Sequence, residues 1–397
     1  MMMHVISLLA LFSLAAPAMA SESDTALRVT LQRDLNAHLA ARSKIEHISA
    51  ISVSVSLRGG LQNINLTAGT TKYRGSTPVT PHNLWQIGSV TKSFTSATIL
   101  QLEAEGKLSI DQAIGHWLPQ YPAWKDVTIR RLLNLRSGIP SYDRVPAMLE
   151  AYVKNPKRSF TAAELIAYVY PGHPHAPPPT TGYDYSNTNY LLCQLIIERV
   201  THNSYASEIE RRFLHSNVGL TSTYYAQTPY PANVLDRMVS GYLFDREAAA
   251  APLAPLLGTD VRDHNLSWIQ GAGGIVATPE DVARWARALY VGPMLAPKQR
   301  AELLTLVSMK TGKAIKKTSV TDPNGFGLGV FQLREPTAGT VWFYEGQTFG
   351  YRMMYFYFPH EDAVIALSAN SAVELKQDAL GKLAVTLFKT LHKAGRL

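Results

Sequence analysis

Period-two alternation of apolar residues occurs near both ends of this 397-residue chain, while its middle follows a helical pattern. "AISVSVSL" sets Ile51, Val53, Val55 and Leu57 on one face of a strand, and "INLTAG" follows across a turn containing Gly59 and Gly60. Beyond residue 325 strand patterns return in "FGLGVFQL", "TVWFYEG", "YRMMYFYF" and "AVIALSAN", bounded by turn residues such as Pro359-His360. Strands this short need partners, so the two chain ends are expected to close one antiparallel sheet around an inserted helical region. The fold class is therefore α+β.

Helices flank that sheet in the sequence. Leu27, Leu31, Leu35 and Leu39 recur at four-residue spacing, and Leu380, Leu383, Leu387 and Leu391 share one helical face near the other end. The chain exceeds the size at which a single core keeps growing, which predicts two lobes. The expected division is a mixed α/β lobe, about 21–85 and 290–397, and a mostly helical lobe, about 86–289.

Residues 1–20 read as a secretory signal, with the apolar run "VISLLALFSLAA" and Ala18-Met19-Ala20 ahead of Ser21-Glu22; a retained N-terminal anchor is the alternative. His4 stands where such signals usually carry Lys or Arg. No later apolar stretch is long enough to span a bilayer, so a periplasmic or secreted protein with no stable membrane insertion is expected. Cys193 is the single cysteine, which excludes an internal disulfide or a CxxC site. It lies in the apolar run "NYLLCQLIIERV", where a core residue is expected in preference to a nucleophile. The net charge of +8 suits an anionic cell-envelope polymer, but the basic run "MKTGKAIKK" lacks interleaved aromatics, so no nucleic acid partner is expected. His173 and His175 in "GHPHAPPPTTG" have no third ligand nearby, and the segment reads as a loop with no metal.

Chemistry enters with "WQIGSVTKSFTS". A Ser-x-x-Lys arises about once by chance in a chain of this length, so its spacing alone proves nothing. On a helix starting at Ser89, however, Lys92 shares its face and brings an amine within reach of the hydroxyl. A lysine serves as base for a serine only when burial or a neighbouring cation lowers its pKa. The helix start adds a free backbone N–H and a positive dipole end, both suited to an oxyanion.

"YDYSNTNYLL" then supplies Tyr185 and Asn187 just before a helical run. With Ser89-Val90-Thr91-Lys92 and Tyr185-Ser186-Asn187 in order, the chain resembles the serine β-lactamase and penicillin-binding superfamily. The similarity is to its branch of class C β-lactamases, D-alanyl-D-alanine carboxypeptidases, D-aminopeptidases and related carboxylesterases. "EGKLSIDQAIGHWLPQYP", "VTIRRLLNLRSGIPSY", "NVGLTSTYY" and "GAGGIVATPEDVARWARAL" look like further landmarks, so the resemblance spans nearly all of the chain after residue 20.

The family's third element, usually Lys-Thr-Gly or His-x-Gly on a strand, has two candidates. Lys310-Thr311-Gly312 matches literally but ends an expected helical run, "APKQRAELLTLVSMKTG", ahead of the "FGLGVFQL" strand. Tyr344-Glu345-Gly346 has the expected order, followed by Gly350-Tyr351, and is the one adopted. Tyr344 then stands where the family usually has the cation that holds a substrate carboxylate, as in esterase members. Arg352 is a possible replacement charge, though strand alternation disfavours its side.

The resemblance implies Ser89 as nucleophile, Lys92 as base and Tyr185 as the proton donor that later activates water. Asn187 would hydrogen-bond the acyl group and help fix Lys92, Gly346 would allow close substrate approach, and the N–H groups of Ser89 and Gln347 would form the oxyanion hole. No cofactor is implied. The implied activity is that of an exported serine hydrolase acting on an ester or peptide-like amide, its substrate a small molecule or peptidoglycan-derived. Alternatives are a class C-like β-lactamase and a non-catalytic penicillin-binding sensor.

Overall fold

The structure is a computed structural model and describes residues 22–60, 63–225, 229–247 and 252–397; the expected signal at 1–20 lies outside them. Helix α1 (Glu22–Arg42) leads into strands β1 (Ala50–Ser56) and β2 (Asn63–Gly69). The chain leaves the sheet through α2 (Thr91–Ala104), α3 (Thr188–Thr201) and α4 (Pro279–Tyr290), with shorter helices between. It returns after α5 (Pro297–Leu303) as β3 (Leu306–Ser308), β4 (Ala314–Ile315), β5 (Asn324–Phe326), β6 (Phe331–Glu335), β7 (Gly339–Gln347), β8 (Arg352–Phe358) and β9 (Ala363–Ala369). Helix α6 (Leu380–Lys393) follows.

These strands form one antiparallel sheet of order β2-β1-β9-β8-β7-β6-β5-β3-β4. The two chain ends meet between the second and third strands of this order, where Val53 of β1 pairs with Leu367 of β9. Alternation explains what each face contacts. Ile51, Val53 and Val55 join Met354, Phe356, Ile365 and Leu367 against Leu27, Leu31 and Leu35 of α1 and Leu380, Leu383, Leu387 and Leu391 of α6. On the opposite face of β1 stand Ser52, Ser54 and Ser56, small residues beneath α4, whose Arg287 reaches the Ser56 hydroxyl at 3.2 Å.

Helix α4 starts with Thr278 accepting the Asp281 N–H and Pro279 in its first turn. Its Trp285 donates to Ser93 Oγ at 2.8 Å and stacks on Phe94 at 3.6 Å, so it ties the sheet to α2. Helix α2 is buried along most of its length, including its hydroxyl-rich first turns, which therefore bond locally: Ser93 Oγ donates to Val90 O and Thr98 Oγ1 to Phe94 O.

Three local expectations are corrected. The α-helix starts at Thr91, not Ser89, because Gly88–Val90 form a tighter 3₁₀ turn with Gly88 at φ +49°. The run expected to stay helical to Gly312 stops at Leu303, and β3 follows. "FGLGVFQL" is two strand ends joined by a turn, in which Gly327 N–H bonds Val330 O. Cys193 is buried within α3, and burial raises its thiol pKa well above the ordinary value.

Candidate active site

The site forms where the start of α2 meets the end of β7. A Cβ added to Gly346 would lie 1.9 Å from Ile87 O and 2.9 Å from Ser89 N, and one on Gly88 would lie 2.8 Å from Gln347 N. No side chain fits between the two segments, so glycine is required on both. The Ser89 turn and the Gly346-Gln347 backbone are therefore pressed together. Tyr344-Glu345-Gly346 occupies this wall. Lys310-Thr311-Gly312 instead lies in the β3–β4 turn, with Lys310 exposed and Gly312 packed on the backbone of Gly182 and Tyr183.

Ser89 remains half-buried while its surroundings are closed. Lys92 is fully buried, and its Nζ donates to Ala272 O at 2.8 Å and lies 2.9 Å from Ser89 Oγ. The rings of Tyr185 and Tyr190 flank the amine, 4.9 and 5.4 Å from Nζ. Burial pushes the Lys92 pKa down to about 7, opposed by the negative charge of Asp143. Near that pH a substantial fraction of the amine is neutral and has a lone pair for the Ser89 proton. Ala272 O is brought to the amine by the short turn Gln270–Gly273, entered through Gln270 at φ +38°. Gln194 of α3 secures the turn by accepting from Gly271 N–H and donating to Gln270 Oε1.

The Tyr185 hydroxyl stands near the Ser89 side chain and lies 3.4 Å from the Tyr344 hydroxyl. Burial raises the Tyr185 pKa despite these two partners, so it is held as a phenol. Tyr344 is fully buried, edge-on to Phe331 at 5.0 Å and Phe326 at 6.3 Å. It presents a neutral wall where a cation was in question. Arg352 cannot replace that charge: it projects from the opposite face of the sheet, paired with Glu46 and Asp378 at 2.7 Å each and donating to Ser371 O. On that face Glu345 is pushed up to about 7 by burial and the nearby Asp378, with Arg352 opposing.

Asn187 differs in detail from its expected role. The hydrogen bonds of Lys92 go to Ser89 and Ala272, while Asn187 Nδ2 donates to Asp143 Oδ2 at 2.8 Å and Asn187 N–H to Ser141 Oγ at 2.8 Å. With Nδ2 given to Asp143, Asn187 Oδ1 is left buried without a partner. Asp143, Tyr190 and Ala272 O escaped sequence reasoning. "LRSGIPSY" stood out as a landmark, but no spacing rule links Asp143, the next residue but one after Ser141, to a lysine far along the chain.

The His173 and His175 rings are tilted against each other in their loop with centroids 5.6 Å apart, and among the described residues no cluster of three His, Cys, Asp or Glu side chains could hold a metal ion. A 680 Å³ cavity lies at the far end of α2, lined by Gln101, Arg212, Arg284 and Arg287. Its arginines already bond Glu105, Glu208, Glu280 and Asp362. No helix among the described residues is long and apolar enough to cross a membrane.

The family profile "Beta-lactamase" matches residues 35–388. The chain belongs to the beta-lactamase family. Members of this family are serine hydrolases, which makes the beta-lactamase-family chain an enzyme of that class. It is 28% identical over 293 residues to penicillin-binding protein 4* of Bacillus subtilis (strain 168), covering 73% of this chain and 62% of that protein. The chain thus spans less than two thirds of that relative's length. Its fold matches D-amino acid amidase from Ochrobactrum anthropi SV3, complexed with D-phenylalanine, at TM-score 0.77 and 23% identity, covering 93% and 99% of the two chains. A D-alanine carboxypeptidase from Burkholderia cenocepacia matches at TM-score 0.68 and 20% identity, covering 92% and 99%.

Proposed function

We propose that this protein is an exported serine hydrolase that cleaves an amide, peptide or ester bond through an acyl-enzyme on Ser89. The observation that carries the reading is the 2.9 Å contact between Ser89 Oγ and a fully buried Lys92 amine whose pKa is pushed down to about 7. A neutral amine takes the Ser89 proton as Oγ bonds to the substrate carbonyl carbon. The resulting oxyanion is received by the N–H groups of Ser89 and Gln347, which flank the Gly88–Gly346 contact. Tyr185, held as a phenol beside Ser89, protonates the departing amine or alkoxide, and water then releases the acyl group by the reverse proton route.

The neutral Tyr344 wall and the inward-paired Arg352 favour substrates without a carboxylate on that side, hence an amidase, peptidase or esterase over a β-lactamase. The amidase fold cited above agrees with amide cleavage. Export rests on the signal-like residues 1–20, with the periplasm or the extracellular space as destination.

Ser89→Ala is expected to abolish labelling by a fluorophosphonate and turnover of p-nitrophenyl acetate, while circular dichroism stays that of the parent. Persistent labelling at another serine would overturn the assignment.

A further inference from the structure

Strand β7 ends at Gln347, which pairs with Arg352 at the start of β8, and residues 348–351 reverse the chain between them, closed by Thr348 N–H donating to Tyr351 O at 3.0 Å. Turns favour small polar residues and glycine, yet Phe349 stands inside this one. Its ring is not loose on the surface. It stacks on Trp268 at 4.6 Å and 17°, and it lies 5.0 Å from the Tyr152 ring, itself 5.5 Å from Trp268. Trp268 and Tyr152 are buried and Phe349 is half-buried, so the tip of the turn is inserted into the helical lobe.

The rings join two segments that carry assigned chemistry. Phe349 is two residues past Gln347, whose N–H faces the oxyanion. Trp268 is four residues before Ala272, whose carbonyl accepts from the Lys92 amine at 2.8 Å, and its own carbonyl accepts from the buried Tyr142 hydroxyl at 2.8 Å. Gly350 and Tyr351 fix the far half of the turn: a Cβ on Gly350 would lie 2.4 Å from Val261, and the Tyr351 hydroxyl donates to Val239 O. Phe349 belongs to the near half, which continues Gln347. Gly88 presses on Gln347 from the side of α2, but a close steric contact only limits approach and does not stop the strand end from moving away. The stack supplies the attraction that keeps it there.

We propose that Phe349 is a positioning residue for acyl transfer: by stacking on Trp268 it holds the Gln347 N–H in register with the Lys92–Ala272 contact. This rests on the acyl-enzyme reading and adds to it the contact that keeps oxyanion donor and base aligned. Phe349 takes no part in bond making or proton transfer.

The test is steady-state hydrolysis of p-nitrophenyl acetate, with rates divided by the Ser89 content that a fluorophosphonate titrates, so that unfolded molecules do not count. Phe349→Leu is expected to lower kcat about tenfold or more. KM should stay within about twofold, because the oxyanion forms in acylation and deacylation alike, and the pH midpoint near 7 should not move, because Lys92 keeps its surroundings. Phe349→Tyr, which keeps the stack, should recover most of the loss. Trp268→Leu should lower kcat at least as far, and adding Phe349→Leu to it should change little, since both remove the same contact. A purely structural Phe349 would lower the unfolding temperature and leave kcat per titrated Ser89 unchanged, which overturns the proposal. A loss confined to KM, or a double variant whose two losses multiply, overturns it as well. If Ser89 is labelled and Phe349→Leu turns over normally, only this inference fails; if Ser89 of the parent is never labelled, the acyl-enzyme reading fails and takes this one with it.

Discussion

A lysine without an ion pair in a protein interior is destabilising, and Lys92 shows what the fold gives up to hold it. Its pKa is 10.5 in a free chain and about 7 when folded. Between those values the unfolded chain binds the extra proton, so stability contributed at this position rises with pH across that window. Lys92→Met is expected to remove turnover, raise stability at pH 7 by on the order of 2 kcal/mol, and flatten that slope. Urea unfolding at two pH values inside the window checks both effects. In the parent enzyme, kcat/KM for a neutral ester is expected to rise with pH through a midpoint near 7, because only the unprotonated amine accepts the Ser89 proton. A profile flat between pH 5 and pH 9, both about two units from that midpoint, would remove Lys92 as base.

At the scale of elements, the site depends on the end of β7 touching the turn before α2. A methyl at Gly346 would sit 1.9 Å from Ile87 O, a backbone atom that cannot swing aside. Gly346→Ala is therefore expected to part the two segments, misplace the Gln347 N–H, and cut kcat/KM on the order of a hundredfold with the fold retained. Lys310→Ala, in the exposed β3–β4 turn, is expected to leave turnover within a few-fold. Steady-state kinetics on the two variants discriminates the strand element from the literal Lys-Thr-Gly. A reversal of these outcomes would place the catalytic wall at the β3–β4 turn. Helix and strand patterns were legible where periodicity was long, as in α1, α6 and β7 to β9. They misled where a glycine or a turn intervened within a few residues, at Gly88, after Leu303 and at Gly327.

For the whole molecule, Arg352 joins parts of the chain that are remote in sequence. It bonds Glu46 after α1, Ser371 after β9 and Asp378 before α6, all from a buried position in β8. Arg352→Met would leave Asp378 buried without its cation and Glu46 with Arg42 alone, at a cost of about 3–5 kcal/mol. Denaturant unfolding should show that loss, while the folded fraction keeps its KM, since Arg352 faces the terminal helices and not Ser89. A raised KM at full folding would return Arg352 to the substrate pocket.

The α+β class, the closing of the sheet by both chain ends, and the order of Ser89, Lys92, Tyr185 and Asn187 were legible in the sequence. Each follows from spacing along the chain, through period two, period 3.6 or one helical turn. Folding was needed to show that Arg352 turns away from the site and that Asp143 bonds Asn187. Those depend on which face of a sheet a residue occupies and on contacts between remote segments. Burial of Lys92 belongs to the same group, because desolvation of an amine is set by everything packed around it.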